Sequence, residues 1–170
     1  MNKQALLGQR QYFDMVHGVT LRAIGQLSDQ DLDFRPQPEM RSIRELVYHI
    51  YSFEKLVGEC VRSGKIPTEA EAAANPEKES AKAALAGLTT VAKLQDYASN
   101  CHKIANETVN AITDEELSRL IDAPYGSFPA WQYFAFAYDE HWHHRGQLYT
   151  YIRLLGKAPL MLYDYENNPA

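Results

Sequence analysis

Cysteine is scarce in this chain, which contains only Cys60 and Cys101 among its 170 residues. The two cysteines are far apart and form neither a Cys-x-x-Cys pair nor another zinc-binding spacing, so the sequence predicts no thiolate metal site. Both lie on predicted apolar helix faces, which is typical of buried free thiols. A glycine-rich phosphate loop, a nucleophile elbow, an internal repeat and a convincing strand are also lacking.

Long apolar and basic segments are absent as well. Residues 1–10 lack the continuous apolar stretch of a signal peptide, and the densest apolar run, near residues 134–138, is too short to span a bilayer. We therefore expect a cytoplasmic protein without a membrane partner. The formal net charge of −5, with no basic run and no RNA-binding motif, argues against nucleic acid as a partner.

What the chain does contain is apolar residues at helical spacing in four long segments. These segments cover residues 4–27, 42–60, 89–111 and 127–156. A capping box of Ser42 and Glu45 begins the second, and Gly156 ends the last. Residues 64–87 lack a wide apolar face, and we interpret them as a surface excursion. The length and the 45% hydrophobic content fit one domain, so we predict an all-α four-helix bundle over residues 1–170, in up-down-down-up or similar order.

The fourth segment concentrates the residues most suited to chemistry. Residues 138–148 hold three of the six histidines and two carboxylates. Residues three or four apart share a helix face, so either Glu140 or His141 can direct a donor atom, together with His144, at one ion. Histidine and carboxylate suit a borderline divalent metal. A third ligand must come from another segment, and His49, which faces inward on the second helix, is the best candidate.

The other polar residues near these positions receive structural interpretations. We expect His17 to be a hydrogen-bonded core residue and His102 to lie at the surface or rim. His143 should point to another face, in a surface or inter-subunit role. Asp139 and Arg145 are expected at the helix surface or in structural ion pairs.

Two segments together resemble the DinB/YfiT superfamily of four-helix metal-binding proteins. They are Ser-Ile-Arg-Glu-Leu-Val-Tyr-His-Ile at residues 42–50 and, about ninety residues later, Glu-His-Trp-His-His-Arg-Gly-Gln-Leu at residues 140–148, followed by Tyr-Ile-Arg-Leu-Leu-Gly at 151–156. The resemblance extends over most of the chain. It implies a DinB-type bundle with a divalent-metal site between the second helix and the last.

The resemblance also implies a ligand set. The family's histidine on helix two falls on His49, and the second member of its His-x-x-x-His pair falls on His144. The first member falls on Glu140, which departs from the three-histidine pattern but matches the Glu-x-x-x-His pair of the related mycothiol-dependent maleylpyruvate isomerases. His141 remains the alternative third ligand, because it is more central on the apolar stripe than Glu140.

The implied function is that of a protein with one divalent ion (Zn, Ni, Fe or Mn), a small-molecule substrate and possible use of a low-molecular-weight thiol such as mycothiol, bacillithiol or glutathione. The leading hypothesis is a thiol-dependent transferase or isomerase, and a hydrolase is a further enzymatic hypothesis. The alternatives are a non-catalytic bundle stabilised by its metal, a stress-related binding module, and an empty pocket inherited from an enzyme. The family also implies a homodimer, and the exposed aromatic and apolar residues of the last helix, including Trp131 and Trp142, would suit a helix-to-helix contact.

Overall fold

The computed structural model describes residues 1–167, so residues 168–170 of the predicted domain lie outside the described residues. Four long helices form the body: α1 (Lys3–Gly25), α2 (Ile43–Cys60), α5 (Val91–Ala111) and α7 (Ala130–Leu154). Shorter elements connect them: α3 (Thr68–Ala73), α4 (Lys82–Gly87), α6 (Asp114–Ser118), β1 (Leu120–Ala123) and β2 (Gly126–Pro129). Within residues 1–167, no helix has the length and apolar character needed to cross a membrane.

The order of the four long helices is up-down-down-up. Helices α1 and α7 run antiparallel to α2, and α5 runs parallel to it. These directions follow from contacting pairs: Arg10–Glu54 and His17–Tyr51 for α1, Tyr48–Tyr97 and Glu54–His102 for α5, and His49–His144 and Tyr51–His141 for α7. The predicted four-helix bundle is therefore confirmed.

Helices α2 and α5 begin where their predicted N-cap residues lie. Ser42 accepts a hydrogen bond from the backbone N–H of Glu45, whose carboxylate accepts from the Ser42 N–H, so this capping box satisfies two amides at the start of α2. Thr90 caps α5 in the same manner through one hydrogen bond. A glycine then permits the close approach of α2 to α5: a Cβ at Gly58 would lie 2.8 Å from the Cα of Ala105.

Residues 120–129 form a β-hairpin, which corrects the prediction of no strand and of a helix beginning at Ser127. Strands β1 and β2 pair antiparallel, with Ile121 opposite Phe128, and α7 begins only at Ala130. The hairpin is anchored because Ile121 is fully buried and its carbonyl accepts from the Tyr133 hydroxyl at 2.8 Å. Strands of four residues are too short to show a clear alternating pattern, so tertiary contacts decide their conformation.

Candidate metal centre

His49, Glu140 and His144 converge between α2 and α7. His49 Nε2 lies 3.4 Å and His144 Nε2 lies 3.1 Å from the same oxygen, Glu140 Oε2. One potential ligand atom of each residue lies within 4.8 Å of those of the other two. Glu140 and His144 share a face because they are four residues apart on α7. The structure thus brings together the three residues that were predicted from the sequence as candidate ligands.

Hydrogen bonds hold both histidine rings with Nε2 directed at Glu140. Nδ1 of His49 donates to the carbonyl of Ala74 at 2.9 Å, and Nδ1 of His144 donates to Oε1 of Gln147 at 2.8 Å. Because each acceptor is an oxygen, Nδ1 carries a hydrogen in both rings, and a metal ion bound at Nε2 would replace the Nε2 hydrogen that the Glu140 carboxylate accepts. A second hydrogen bond of this kind is the usual support of a metal-binding histidine.

The Glu140 carboxylate is held in its charged form. Hydrogen bonds with His144 and then His49 lower the pKa of Glu140 well below its ordinary value, and they outweigh the opposing effect of partial burial. An ionised carboxylate and two neutral imidazoles form a donor set that suits Zn, Ni, Fe or Mn. The residues present therefore fit a divalent ion, and three protein ligands would leave a coordination position open.

His141 points away from this cluster. It is 1% exposed, and its ring packs against Phe13 and Tyr51 in the bundle core. Its Nε2 lies 2.8 Å from Thr20 Oγ1, which already donates to the carbonyl of Val16, so His141 donates to Thr20. Burial lowers the pKa of His141 to about 3, which keeps the ring neutral. The structure does not bring this alternative ligand to the site.

A cavity of about 450 Å³ opens beside His49 and Glu140. Its walls come from several elements, which supply Phe53 of α2, Glu71 of α3, Tyr125 and Phe128 of the hairpin, and Phe136 and Asp139 of α7. A smaller cavity of about 310 Å³ borders His144, with Arg41 and Gln147 in its lining. The candidate centre is therefore accessible to small molecules.

Two contributors to the site were missed by the sequence reasoning. The excursion of residues 64–87 is more than a surface segment, because the carbonyls of Ala73 and Ala74 accept from Tyr48 and His49. No sequence signal marks a backbone carbonyl. Gln147 could have been found, since it lies three residues after His144 and therefore on the same face of the helix.

His102 is buried in a charged network, which corrects its predicted place at the surface or rim. Its Nδ1 lies 2.7 Å from Glu54 Oε1 and its Nε2 lies 2.8 Å from Asp14 Oδ1, while Arg10 bonds the same Glu54 oxygen at 2.5 Å. The carboxylates of Asp14 and Glu54 raise the pKa of His102, although burial opposes them. His17, as predicted, is a core residue whose Nδ1 bonds the Tyr51 hydroxyl at 3.0 Å.

Arg145 is also buried rather than at the helix surface. Its guanidinium lies 4.2 Å from the centre of the Trp142 ring, in a cation–π contact. Its two terminal nitrogens have no hydrogen-bond partner among the described residues, so the predicted ion pair with a carboxylate is wrong. His143 and Asp139 are exposed on α7, as expected.

Replacing Glu54 by glutamine should lower the free energy of unfolding at pH 7 by about 3–5 kcal/mol, because the charges of Arg10 and His102 would stay buried without their carboxylate. Burial alone would raise the pKa of Glu54, but its hydrogen bond with His102 and the charge of Arg10 lower it to about 2. The folded-state pKa is thus below the ordinary 4.5, and the contribution of Glu54 is lost as the pH falls through this interval.

Urea unfolding of the parent and Glu54→Gln at several pH values measures this effect. The difference between them should shrink between pH 4.5 and about 2. Glu59→Gln, on the same helix but at a partly exposed ion pair with Lys55, is the control and should change stability by less than about 1 kcal/mol. Equal effects of the two substitutions at pH 7 would contradict the prediction.

The chain has an up-down-down-up helical bundle and a His-Glu-His cluster beside a cavity. It is therefore a four-helix protein with a candidate metal centre between two helices. The sequence profile of the DinB superfamily matches residues 12–148. The chain therefore belongs to the DinB superfamily, as its two sequence segments indicated. A comparison with curated proteins gave no match.

Two solved structures from Bacillus subtilis have the same fold. One is the DinB-like protein YjoA, with a TM-score of 0.69 and 21% sequence identity, covering 91% of this chain and 95% of the other. The other is YfiT, with a TM-score of 0.58 and 18% identity, covering 93% of this chain and 91% of the other. YfiT is described as a probable metal-dependent hydrolase with an unusual four-helix bundle topology. At these identities the likeness establishes the fold alone.

Proposed function

We propose that this protein is a metal-dependent enzyme in which His49, Glu140 and His144 hold one divalent ion. The observation that carries the proposal is the direction of the two Nε2 atoms at one carboxylate oxygen, each ring fixed through its Nδ1–H. When bound, the ion would supply a Lewis acid that lowers the pKa of a water or thiol and makes it nucleophilic at neutral pH. A non-catalytic ion would need a fourth ligand from the protein to complete its usual coordination.

The chain's own residues would divide the remaining tasks. The hydrogen bonds from His49 to Ala74 and from His144 to Gln147 hold the rings in place, so little reorganisation is needed for ligand binding. The aromatic walls of the larger cavity would bind the apolar part of a substrate and exclude water from the reacting atoms. We assign the cavity to the substrate on this basis.

The nucleophile in this proposal is a low-molecular-weight thiol, which makes the protein a thiol-dependent transferase or isomerase. This step rests on the resemblance to thiol-using members of the superfamily. A hydrolase is the second candidate, in which water is the nucleophile, and it is favoured by the description of YfiT. The two candidates use the same ligands and differ only in the nucleophile.

Elemental analysis followed by activity assays tests the proposal. Purified protein should hold about one divalent ion per chain, and the metal-loaded form should consume a small electrophile faster when a thiol is added. Acceleration of ester or amide hydrolysis without a thiol would select the hydrolase instead. A protein that binds no Zn, Ni, Fe or Mn at micromolar concentration would overturn both candidates.

We further propose a homodimer, as the resemblance implies. Sedimentation at micromolar concentration should give about twice the 19.4 kDa chain mass, and a monomer mass would reject this proposal. The predicted contact residues Trp131 and Trp142 are half-buried within the chain, and Trp142 stacks on Tyr12 with ring centres 6.2 Å apart. A partner chain would contact the exposed edges of these two rings.

A further inference from the structure

The cavity beside the candidate metal centre combines aromatic walls with negative charge. Its aromatic lining residues are Phe53, Tyr125, Phe128 and Phe136. Its charged lining residues are Glu71, Asp139 and Glu140, and no lysine or arginine is among the described residues that line it. A ligand in this cavity would therefore meet apolar ring surfaces and carboxylates together.

Two of these carboxylates are not neutralised by the protein. Glu71 Oε1 accepts a hydrogen bond from Asn75 Nδ2 at 3.1 Å, which is a neutral donor. Asp139 is exposed, and neither Glu71 nor Asp139 belongs to an ion pair within residues 1–167. The two residues come from α3 and α7, so their charges approach the cavity from separate elements. Three carboxylates against an ion of charge +2 leave one net negative charge at the cavity.

The effect of this charge extends to the hairpin. Tyr125 lines the cavity at the turn between β1 and β2, and its pKa is raised to about 12. Burial is the largest cause, the neighbouring Tyr133 is the next, and the negative charges of Glu71 and Glu140 add smaller contributions. The hydroxyl of Tyr125 thus stays neutral at pH 7, and the negative charge at the cavity comes from the carboxylates.

We propose that this cavity selects a small aromatic substrate that carries a positive charge, such as a protonated amine, over an anion of the same shape. Carboxylates attract the cation, and the ring faces of the aromatic walls add cation–π attraction. The inference rests on the proposed function, because it assigns a substrate class to the same site. Within that function, a thiol with free carboxylates, such as glutathione, is disfavoured here, and the cavity holds the other substrate.

Binding of three matched probes tests the selectivity: 2-phenylethylamine, 2-phenylethanol and 3-phenylpropionate. Calorimetric titration with the metal-free full-length protein at pH 7 excludes coordination of the carboxylate probe by an ion. The amine should bind about tenfold more tightly than the anion, with the alcohol between them, and the difference should shrink as salt is raised. Equal binding of amine and anion, or no binding of the amine at millimolar concentration, would overturn the inference.

The double variant Glu71→Gln and Asp139→Asn should lose most of this preference, since neither residue is a candidate metal ligand. Glu69→Gln is the matched control, because Glu69 is an exposed residue of the same helix α3 and does not line the cavity. An equal loss in the control would show a general charge effect and overturn the assignment. Thermal unfolding of each variant identifies any that fail to fold, and the single variant Asp139→Asn then replaces the double one.

Different results would contradict the selectivity of the cavity and the metal-dependent enzyme. A protein that prefers the amine but holds no divalent ion would sink the metal-dependent enzyme and leave the cavity's selectivity intact. A protein that binds its ion at His49, Glu140 and His144 but does not distinguish the probes would sink only the substrate class.

Discussion

Replacing His144 by alanine should remove most of the bound metal from the purified protein, and His49→Ala should do the same. Each substitution deletes one of three proposed ligands. Loss of an outer hydrogen-bonding partner of a ligand already costs about 10–100-fold in metal affinity, so loss of the ligand itself should cost more than about 100-fold. Elemental analysis and metal titration of the two variants measure the effect directly.

His143→Ala is the matched control for this experiment. It lies on the same helix next to His144 but is exposed, and its Nε2 accepts from Gln147 at 3.2 Å instead of facing Glu140. Metal affinity should therefore stay within a few-fold of the parent. If both His49→Ala and His144→Ala retain a full equivalent of ion, the centre has been misplaced.

The second large effect should separate Glu140 from His141. Glu140→Gln keeps the shape of the side chain but removes the negative charge that would offset the ion, so metal binding should weaken by at least about tenfold. His141→Gln should leave metal affinity nearly unchanged, because His141 lies on another face of α7, where it is hydrogen-bonded to Thr20 of α1. It should instead lower the free energy of unfolding by about 1–3 kcal/mol, since a buried hydrogen bond and its packing are lost.

Metal titration of both variants beside the parent, at a pH above the histidine titration range, decides between them. This pH matters because protons compete with the ion for imidazole nitrogens. Loss of binding in His141→Gln with full binding in Glu140→Gln would show that the third ligand is His141. In that case the side chain would have to leave its core position beside Thr20, which a structure with bound ion would reveal.

The candidate centre shows how far local sequence reaches into tertiary structure. Glu140 and His144 face the same way because helix geometry fixes the direction of residues four apart. His49 could be oriented inward from its own helix, but its distance to Glu140 depends on how α2 packs against α7. The position of α2 is itself set by packing elsewhere, since a single Cβ at Gly58 would meet the backbone of α5.

The buried polar residues show what local sequence does not determine. In the sequence, His102 lies beside an apolar stripe of its helix. From sequence alone, such a position is typical of a residue at the edge of the core. In the fold, Glu54 and Asp14 lie on two other helices and approach both of its ring nitrogens, which makes burial favourable. The same reasoning applies to Arg145, whose burial depends on the ring of Trp142 one turn earlier and on the packing around it.

The sequence by itself determined the four long helices, the caps of α2 and α5, the family, and the shared face of Glu140 and His144. These features depend on contacts within a few residues, where spacing along the chain translates directly into direction in space. Tertiary structure alone decided the hairpin of β1 and β2, the carbonyl of Ala74 behind His49, and the hydrogen bond of His141 with Thr20. Each of these depends on groups more than ten residues apart, whose approach is set by helix packing and by the need to pair buried polar atoms.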